Sequence, residues 1–230
     1  TVITRRMGGG FGGKESQGNL PAIVAALAAK LTGRPAKLIY DRDDDFILTG
    51  KRHDFQIFYK VGFEDNGLIN SVIVDQAMRC GMSWDLSEAI AARAMCHAEN
   101  SYFIKNMRIT SHRLKTNTQS NTAFRGFGGP QGIVGMERVI DHVAHHLDID
   151  PLLVRERNFY PHKTSATHGI TPYGQTVHDC IIQDIISELK KTSNYLERRK
   201  DIEKFNQNND FLKRGICLLY TSDAADDALS

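Results

Sequence analysis

The 230-residue sequence predicts mixed α and β structure, α/β in the α+β sense, forming one domain or part of one. Three observations carry this. Several segments show apolar residues at helical spacing between cap and breaker residues, others alternate apolar and polar positions, and no long linker or low-complexity block divides them.

Taken in order, a helix is predicted from Pro21 to Leu31, with Asn19 or Ser16 as its cap, Gly33 as its stop and Pro35 beyond. A short strand is expected over Lys37 to Tyr40. The acidic run Asp41, Asp43, Asp44 and Asp45 reads as a solvated loop rather than a metal site. Phe55 to Phe63 alternates, Asp65-Asn66-Gly67 supplies turn chemistry, and Leu68 to Ala77 resumes alternation, so a β-hairpin is predicted. Helix is expected again over Leu86 to His97 and a further strand over Ile104 to Lys115. Pro130 to Leu147 is helical in pattern, and Asp150-Pro151 restarts a helix with proline at its favoured first position. Two more helices are predicted near Asp179 to Lys191 and Asn194 to Asn206.

Composition narrows the function classes. Lys+Arg 29 against Asp+Glu 27 leaves a formal charge of +2, and 41% of residues are hydrophobic, so a sizeable core is affordable and an electrostatically driven nucleic-acid binder is not expected. The longest near-apolar run, Pro21 to Leu31, falls short of the roughly 20 residues that cross a bilayer, so no membrane partner is expected. No charged segment leads into an apolar run, so no signal peptide is read. Cys80, Cys96, Cys180 and Cys217 are scattered without C-x-x-C spacing, which suggests reduced thiols in a cytoplasmic protein rather than a zinc site or disulfide framework. Residues 217–230 break with the preceding composition and look like translated sequencing-adaptor read-through. They are set aside, leaving 1–216 as the segment that carries the fold.

The sharpest local feature is Arg6-Met7-Gly8-Gly9-Gly10-Phe11-Gly12-Gly13-Lys14-Glu15, whose glycines free the backbone for positive φ and close approach to a ligand. Gly8, Gly10 and Gly13 fit the dinucleotide pattern G-x-G-x-x-G, and Gly8 to Lys14 fit a P-loop up to its last position. There a Ser or Thr hydroxyl is needed for magnesium and the chain has Glu15, whose charge would repel phosphates. Phe127-Gly128-Gly129 echoes Phe11-Gly12-Gly13 and again precedes a helix. Two such loops can clamp a cofactor, pointing backbone N–H groups at an anionic or oxo-bearing group; two tight packing turns are the plainer alternative.

Arg6 to Glu15, Asp85-Leu86-Ser87 with Arg93-Ala94 and His97, and Lys115-Thr116-Asn117 through Asn121-Thr122-Ala123-Phe124-Arg125-Gly126-Phe127-Gly128-Gly129-Pro130-Gln131 together resemble the molybdenum-cofactor domain of the xanthine dehydrogenase family of molybdenum hydroxylases. The motifs stand in the family's order and at its spacing from about Thr1 to Ile216. Met136 to His142 and Thr171 to Thr176 most resemble the bacterial enzymes whose molybdenum part is a separate large subunit.

The resemblance implies a fragment of a purine hydroxylase that converts hypoxanthine and xanthine to urate with a molybdenum–molybdopterin cofactor. It implies that Gly10, Phe11 and Arg125 bind the cofactor, with Phe11 and Arg125 presenting main-chain N–H groups to the molybdenum centre. It further implies that Glu15, Arg93 and Phe127 bind substrate: Phe127 stacks on the purine, Arg93 donates to a ring carbonyl oxygen and stabilises developing negative charge, and Glu15 hydrogen-bonds ring nitrogens. Against each stands a simpler role: Glu15 as a helix cap, Arg93 paired with a surface carboxylate, Phe127 as core. His97 matches a position near the pocket, with a satisfied structural histidine as the plainer reading.

The family's general-base glutamate, a second aromatic ring of the pocket and an upstream glutamine loop lie outside this segment, so no catalytic residue is assigned and the fragment is expected to be inactive alone. FAD and 2Fe-2S clusters, which pass electrons to NAD, are implied on other domains or a partner subunit, in a dimer of heterodimers or a homodimer. An aldehyde or other N-heterocycle oxidase is the alternative within the family, disfavoured by the Glu15 and Arg93 pairing. A P-loop nucleotide-binding module or an inactive interaction subunit is the alternative outside it. His142, His145 and His146 have helical metal-ligand spacing but read as a solvated helix face.

Overall fold

A computed structural model of the protein describes residues 1–4 and 6–216; the expected read-through tail at 217–230 lies outside the described residues. The alanine-rich segment forms α1 (Asn19–Thr32) and stops at Gly33, whose φ of 66° lies in the left-handed region that glycine enters freely. Neither expected side chain caps it. The Asn19 N–H donates to the Ser16 carbonyl at 3.1 Å, while the Ser16 hydroxyl is drawn away to the Asp85 carboxylate at 2.6 Å. No residue of α1 is buried, and Ile23, Leu27 and Leu31 are 64%, 54% and 77% exposed, an apolar face without a covering element among the described residues.

The strand expected over Lys37 to Tyr40 is not formed. A strand is held by its ladder, and no described strand runs beside this segment. The acidic run is likewise not a loop: it opens α2 (Arg42–Leu48). Asp41 caps that helix by accepting the Asp44 N–H at 2.8 Å, and Asp43, Asp44 and Asp45 in the first turn face the positive end of the helix dipole.

The hairpin forms as β1 (Phe55–Phe63) and β2 (Ile69–Gly81), antiparallel, with Phe55 opposite Met78 and a bulge near Gly62 and Phe63. Its turn is closed by the Glu64 N–H to Leu68 carbonyl and Gly67 N–H to Glu64 carbonyl bonds, with Gly67 at φ 90°. β3 (Asn106–Lys115) lies parallel to β2, so the sheet order is β1-β2-β3. The chain crosses between these two parallel strands through α3 (Ser87–Cys96), forming a β-α-β unit.

One sheet face packs against α4 (Gly129–Leu147), whose Met136, Val139, Ile140 and Val143 meet Val72, Val74 and Tyr102 in the main core. Full burial of such side chains contributes about 1.5–3 kcal/mol each. α5 (Pro151–Asn158) starts on the Asp150 cap, whose carboxylate accepts the Leu152 N–H at 2.7 Å. Its last residue, Asn158, is buried and accepts the Ile69 N–H at 2.8 Å while donating to the Gly67 and Val154 carbonyls at 2.9 and 2.7 Å, tying helix to hairpin turn.

Glu137 joins the remaining pieces. Its carboxylate accepts from Asn100, Tyr102 and Arg155, and Arg155 also reaches Asp141 at 3.0 Å. A two-stranded hairpin, β4 (Gly169–Ile170) and β5 (Thr176–Val177), precedes α6 (Ile182–Thr192) and α7 (Tyr195–Gln207). No described helix is long and apolar enough to cross a membrane.

Candidate functional site

The two glycine loops adopt nearly the same backbone. Phe11 and Gly12 have φ of 48° and 84°, and Phe127 and Gly128 have 50° and 95°. Two bulky residues in the left-handed region store strain that the surrounding packing must hold. Each loop closes its own turn: the Gly13 N–H donates to the Gly10 carbonyl and the Phe127 N–H to the Phe124 carbonyl, both at 2.8 Å.

The fold brings these loops together across more than a hundred residues. A Cβ on Gly12 would stand 3.1 Å from the Ala123 Cβ and 3.2 Å from the Phe124 N, so the first loop lies directly on the segment leading into the second. The Arg125 guanidinium lies over the Phe11 ring, 6.0 Å from its centroid. Residues Gly10, Phe11 and Arg125 therefore share one corner of the molecule.

Helix α3 is drawn to the same corner by glycines on α4. A Cβ on Gly128 would stand 2.2 Å from the Ile90 carbonyl oxygen, and one on Gly132 only 2.3 Å from that of Ala94. Only a residue without a side chain lets the two backbones approach so closely. As a consequence Arg93 and His97 flank Gly129, at 3.8 and 3.5 Å from where its Cβ would be, beside the second loop. Arg93 is exposed. Phe127 is half-buried against Met78, Cys80, Ile90, Ala91 and Ala123, so part of its ring serves the smaller core cluster, as the plainer alternative held. Glu15 is exposed at the exit of the first loop, and no ion pair or hydrogen bond joins it to Arg93 among the described residues. It is tethered to α3 indirectly, through the bond from its neighbour Ser16 to Asp85 at the head of that helix.

Several supporting residues were not singled out from the sequence. Arg52 stacks over the Phe124 ring at 4.6 Å and donates to the Arg125 carbonyl at 2.6 Å, bracing the second loop from behind. His53 is fully buried, hydrogen-bonded through Nε2 to the Ser87 hydroxyl at 2.7 Å, while its carbonyl accepts from Gln131 at 3.0 Å. It thus pins the starts of α3 and α4 to β1. Gln17 accepts the Gly50 N–H at 2.7 Å and anchors the first loop's exit. Only their position just ahead of the Phe55 strand could have marked Arg52 and His53, because their partners are distant in sequence.

Burial pushes the His53 imidazole below its ordinary value, opposed by Asp85 and Asp54, and burial with the Arg93 cation does the same to His97. Both are held toward the neutral form. On the side of its missing side chain, each of Gly8 and Gly10 faces open space. Around the second loop, Arg52 Nη1, Thr122 Oγ1 and Gln131 Oε1 are buried without a hydrogen-bond partner among the described residues. Open glycine backbone in the first loop and unspent donors and acceptors around the second suit a polar ligand rich in oxygen.

Other candidates do not assemble. Lys14 turns back to donate to the Gly9 carbonyl at 2.5 Å, and α1 begins only at Asn19, which is not the tight turn into a helix that a P-loop requires. His142 and His146 are exposed, yet they are more than a solvated face: His142 hydrogen-bonds the Tyr59 hydroxyl, and the His146 ring meets Phe63 edge-on at 5.6 Å. Among the described residues, no group of three or more His, Cys, Asp or Glu stands positioned to hold a metal.

Comparison with known proteins agrees with this geometry. The family described as the molybdopterin cofactor-binding domain matches residues 1–159. The chain is 43% identical over 218 residues to xanthine dehydrogenase of Oryza sativa subsp. japonica, covering 95% of this chain and 16% of that protein. It is 43% identical over 220 residues to xanthine dehydrogenase/oxidase of Gallus gallus, covering 96% of this chain and again 16% of the relative. The chain therefore spans only a small part of the curated relatives it matches.

Among solved structures, aldehyde oxidoreductase from Desulfovibrio gigas aligns with a TM-score of 0.73 at 27% identity, over 89% of this chain and 21% of that one. CO dehydrogenase from Oligotropha carboxidovorans shares the fold with a TM-score of 0.74 at 21% identity, over 89% of this chain and 26% of that one. With a matching family that spans most of the sequence and contains both glycine loops, the chain belongs to the molybdopterin cofactor-binding domain family.

Proposed function

We propose that the chain is part of a xanthine dehydrogenase that hydroxylates a purine at a molybdenum–molybdopterin centre held between the two glycine loops. The observation that carries this is the interlock of those loops, with Phe11 and Arg125 in one corner and Arg93 beside Gly129. The residues present fit the cofactor: Gly8 and Gly10 leave open backbone, and polar atoms of Arg52, Thr122 and Gln131 around the second loop are left unpartnered among the described residues.

Gly10, Phe11 and Arg125 would hold the group through their backbone, and the bond from Arg52 to the Arg125 carbonyl keeps that peptide from turning. When bound, the molybdenum centre supplies the oxygen-transfer chemistry and takes up the electrons. The chain's own side chains handle the substrate. Arg93, exposed and positively charged, donates to a ring carbonyl oxygen and stabilises the negative charge that grows on the heterocycle. The exposed part of Phe127 offers a face or edge to the ring. Glu15 accepts from ring N–H groups, and as substrate binds it bridges the gap that separates it from Arg93.

The proton-accepting carboxylate of the reaction is assigned to the part of the parent protein outside this chain, together with FAD, the 2Fe-2S clusters and the route to NAD. A flavin and iron–sulfur partner, a dimeric assembly and a cytoplasmic location complete the proposal, the last supported by cysteines without disulfide spacing. Aldehyde oxidation is the competing activity, favoured by the likeness to the Desulfovibrio gigas enzyme and opposed by the presence of both Glu15 and Arg93 in the sequence.

The test is Glu15→Ala in the complete parent enzyme. Xanthine turnover falls far more than aldehyde turnover if Glu15 binds the purine. Equal losses on both substrates, or loss of molybdenum, would assign Glu15 to the fold or the cofactor instead.

A further inference from the structure

Outside the glycine loops, the β4–β5 hairpin presents a pair of histidines that the proposed reaction does not use. Its strands pair Gly169 with Val177 and Ile170 with Thr176, and the same register sets His168 directly opposite His178. The turn is closed by the Gly174 N–H to Thr171 carbonyl and Thr171 N–H to Gln175 carbonyl bonds, both 2.9 Å, with Gly174 at φ 89°. Counting outward from the bonded Thr171 and Gln175 pair, antiparallel alternation puts His168 and His178 at a non-hydrogen-bonded position, where facing side chains come closest. The two rings indeed meet, with centroids 4.7 Å apart and planes inclined at 67°.

We propose that His168 and His178 form a two-histidine chelate for a divalent transition-metal ion of the copper, nickel or zinc class. Imidazole suits these ions and carries no charge to be neutralised on binding. The spacing is right: with metal–nitrogen bonds of about 2.1 Å and ring centres about 1.1 Å further out, two imidazoles on one ion have centroids roughly 4.5 Å apart at a right angle and roughly 5.2 Å at the tetrahedral angle. The observed separation lies between these values. Both histidines are exposed, so an ion reaches them without opening the fold, and water completes the coordination. A hairpin with only two residues per strand is marginal by itself. A metal bridging its strands would staple it in place.

The test is titration of the full chain with copper(II), followed by electron paramagnetic resonance for nitrogen coupling and by calorimetry for affinity. His168→Asn and His178→Asn are compared with His145→Asn, an exposed histidine on α4 outside the pair. Each hairpin variant should lose at least about tenfold in affinity and one coupled nitrogen, since a ligand matters at least as much as the outer partners whose loss costs 10–100-fold. His145→Asn should bind as the parent does. Because the altered side chains are exposed, far-UV circular dichroism without metal should be unchanged in all three. Equal copper affinity in the parent and both hairpin variants overturns the site, as does loss of affinity on His145→Asn alone.

Discussion

Gly132→Ala should cost far more than its single methyl suggests, because the new Cβ would stand 2.3 Å from the Ala94 carbonyl oxygen and 3.1 Å from the His97 carbonyl carbon. Both are backbone atoms of the α3 helix or its cap, so no side chain can rotate aside. Ordinary contact requires the helices to separate by about 1 Å, which opens the packing of Gly128 on Ile90 as well; overpacking of this kind costs about 1–3 kcal/mol. Alanine recovers about 1 kcal/mol of helix propensity, so a net loss of up to about 2 kcal/mol is expected. Gly135 on the same helix supplies the control. A Cβ there meets only the Ile57 side chain, at 3.0 Å, which can shift. Gly135→Ala should therefore be neutral or slightly stabilising. Urea unfolding followed by circular dichroism at 222 nm compares the two. Equal stability of both variants would refute the claim that backbone contact between α3 and α4 sets the position of Arg93.

Asn158→Ala removes three buried hydrogen bonds and strands the Ile69 N–H and the Gly67 carbonyl; at about 1 kcal/mol each, a loss of about 2–4 kcal/mol in urea unfolding is expected. A loss under half a kilocalorie would mean that the hairpin turn does not depend on α5. Glu99 is 3% exposed, and burial pushes its carboxyl up from 4.5 to about 7, against the pull of a backbone hydrogen bond. A raised carboxyl favours the folded state fully below 4.5 and loses that advantage as pH rises through about 7, a span of about 3 kcal/mol. Glu99→Gln should thus gain stability over the parent between pH 5 and pH 8, and an unchanged difference across that range would count against burial as the cause.

Legibility in the sequence followed the range of the interaction. The β1–β2 hairpin, α3, β3 and α4 were readable because alternation, turn residues and helical spacing are local signals. Lys37 to Tyr40 failed because a strand exists only with its neighbour, and the acidic run failed because Asp41 is a helix cap as well as a solvated charge. At the site, the echo of Phe11-Gly12-Gly13 in Phe127-Gly128-Gly129 pointed to paired loops, and their matching positive φ values realise it. That Gly12 rests on Ala123, or that Arg52 braces Arg125, rests on contacts between distant residues that no spacing reveals. Ser16 shows the limit in miniature: its helix-cap chemistry was visible, but the competing Asp85 carboxylate sits 69 residues away.

The proposed purine-binding role of Glu15, Arg93 and Phe127 is tested most directly in the complete reading frame, expressed with any neighbouring flavin and iron–sulfur subunit. NAD reduction with xanthine is compared with reduction by an aromatic aldehyde, alongside molybdenum content. Bound molybdenum with a preference for xanthine is the expected result. Bound molybdenum with a preference for the aldehyde would contradict the purine assignment of Glu15 and Arg93, and a folded protein without molybdenum would contradict the cofactor role of the two glycine loops.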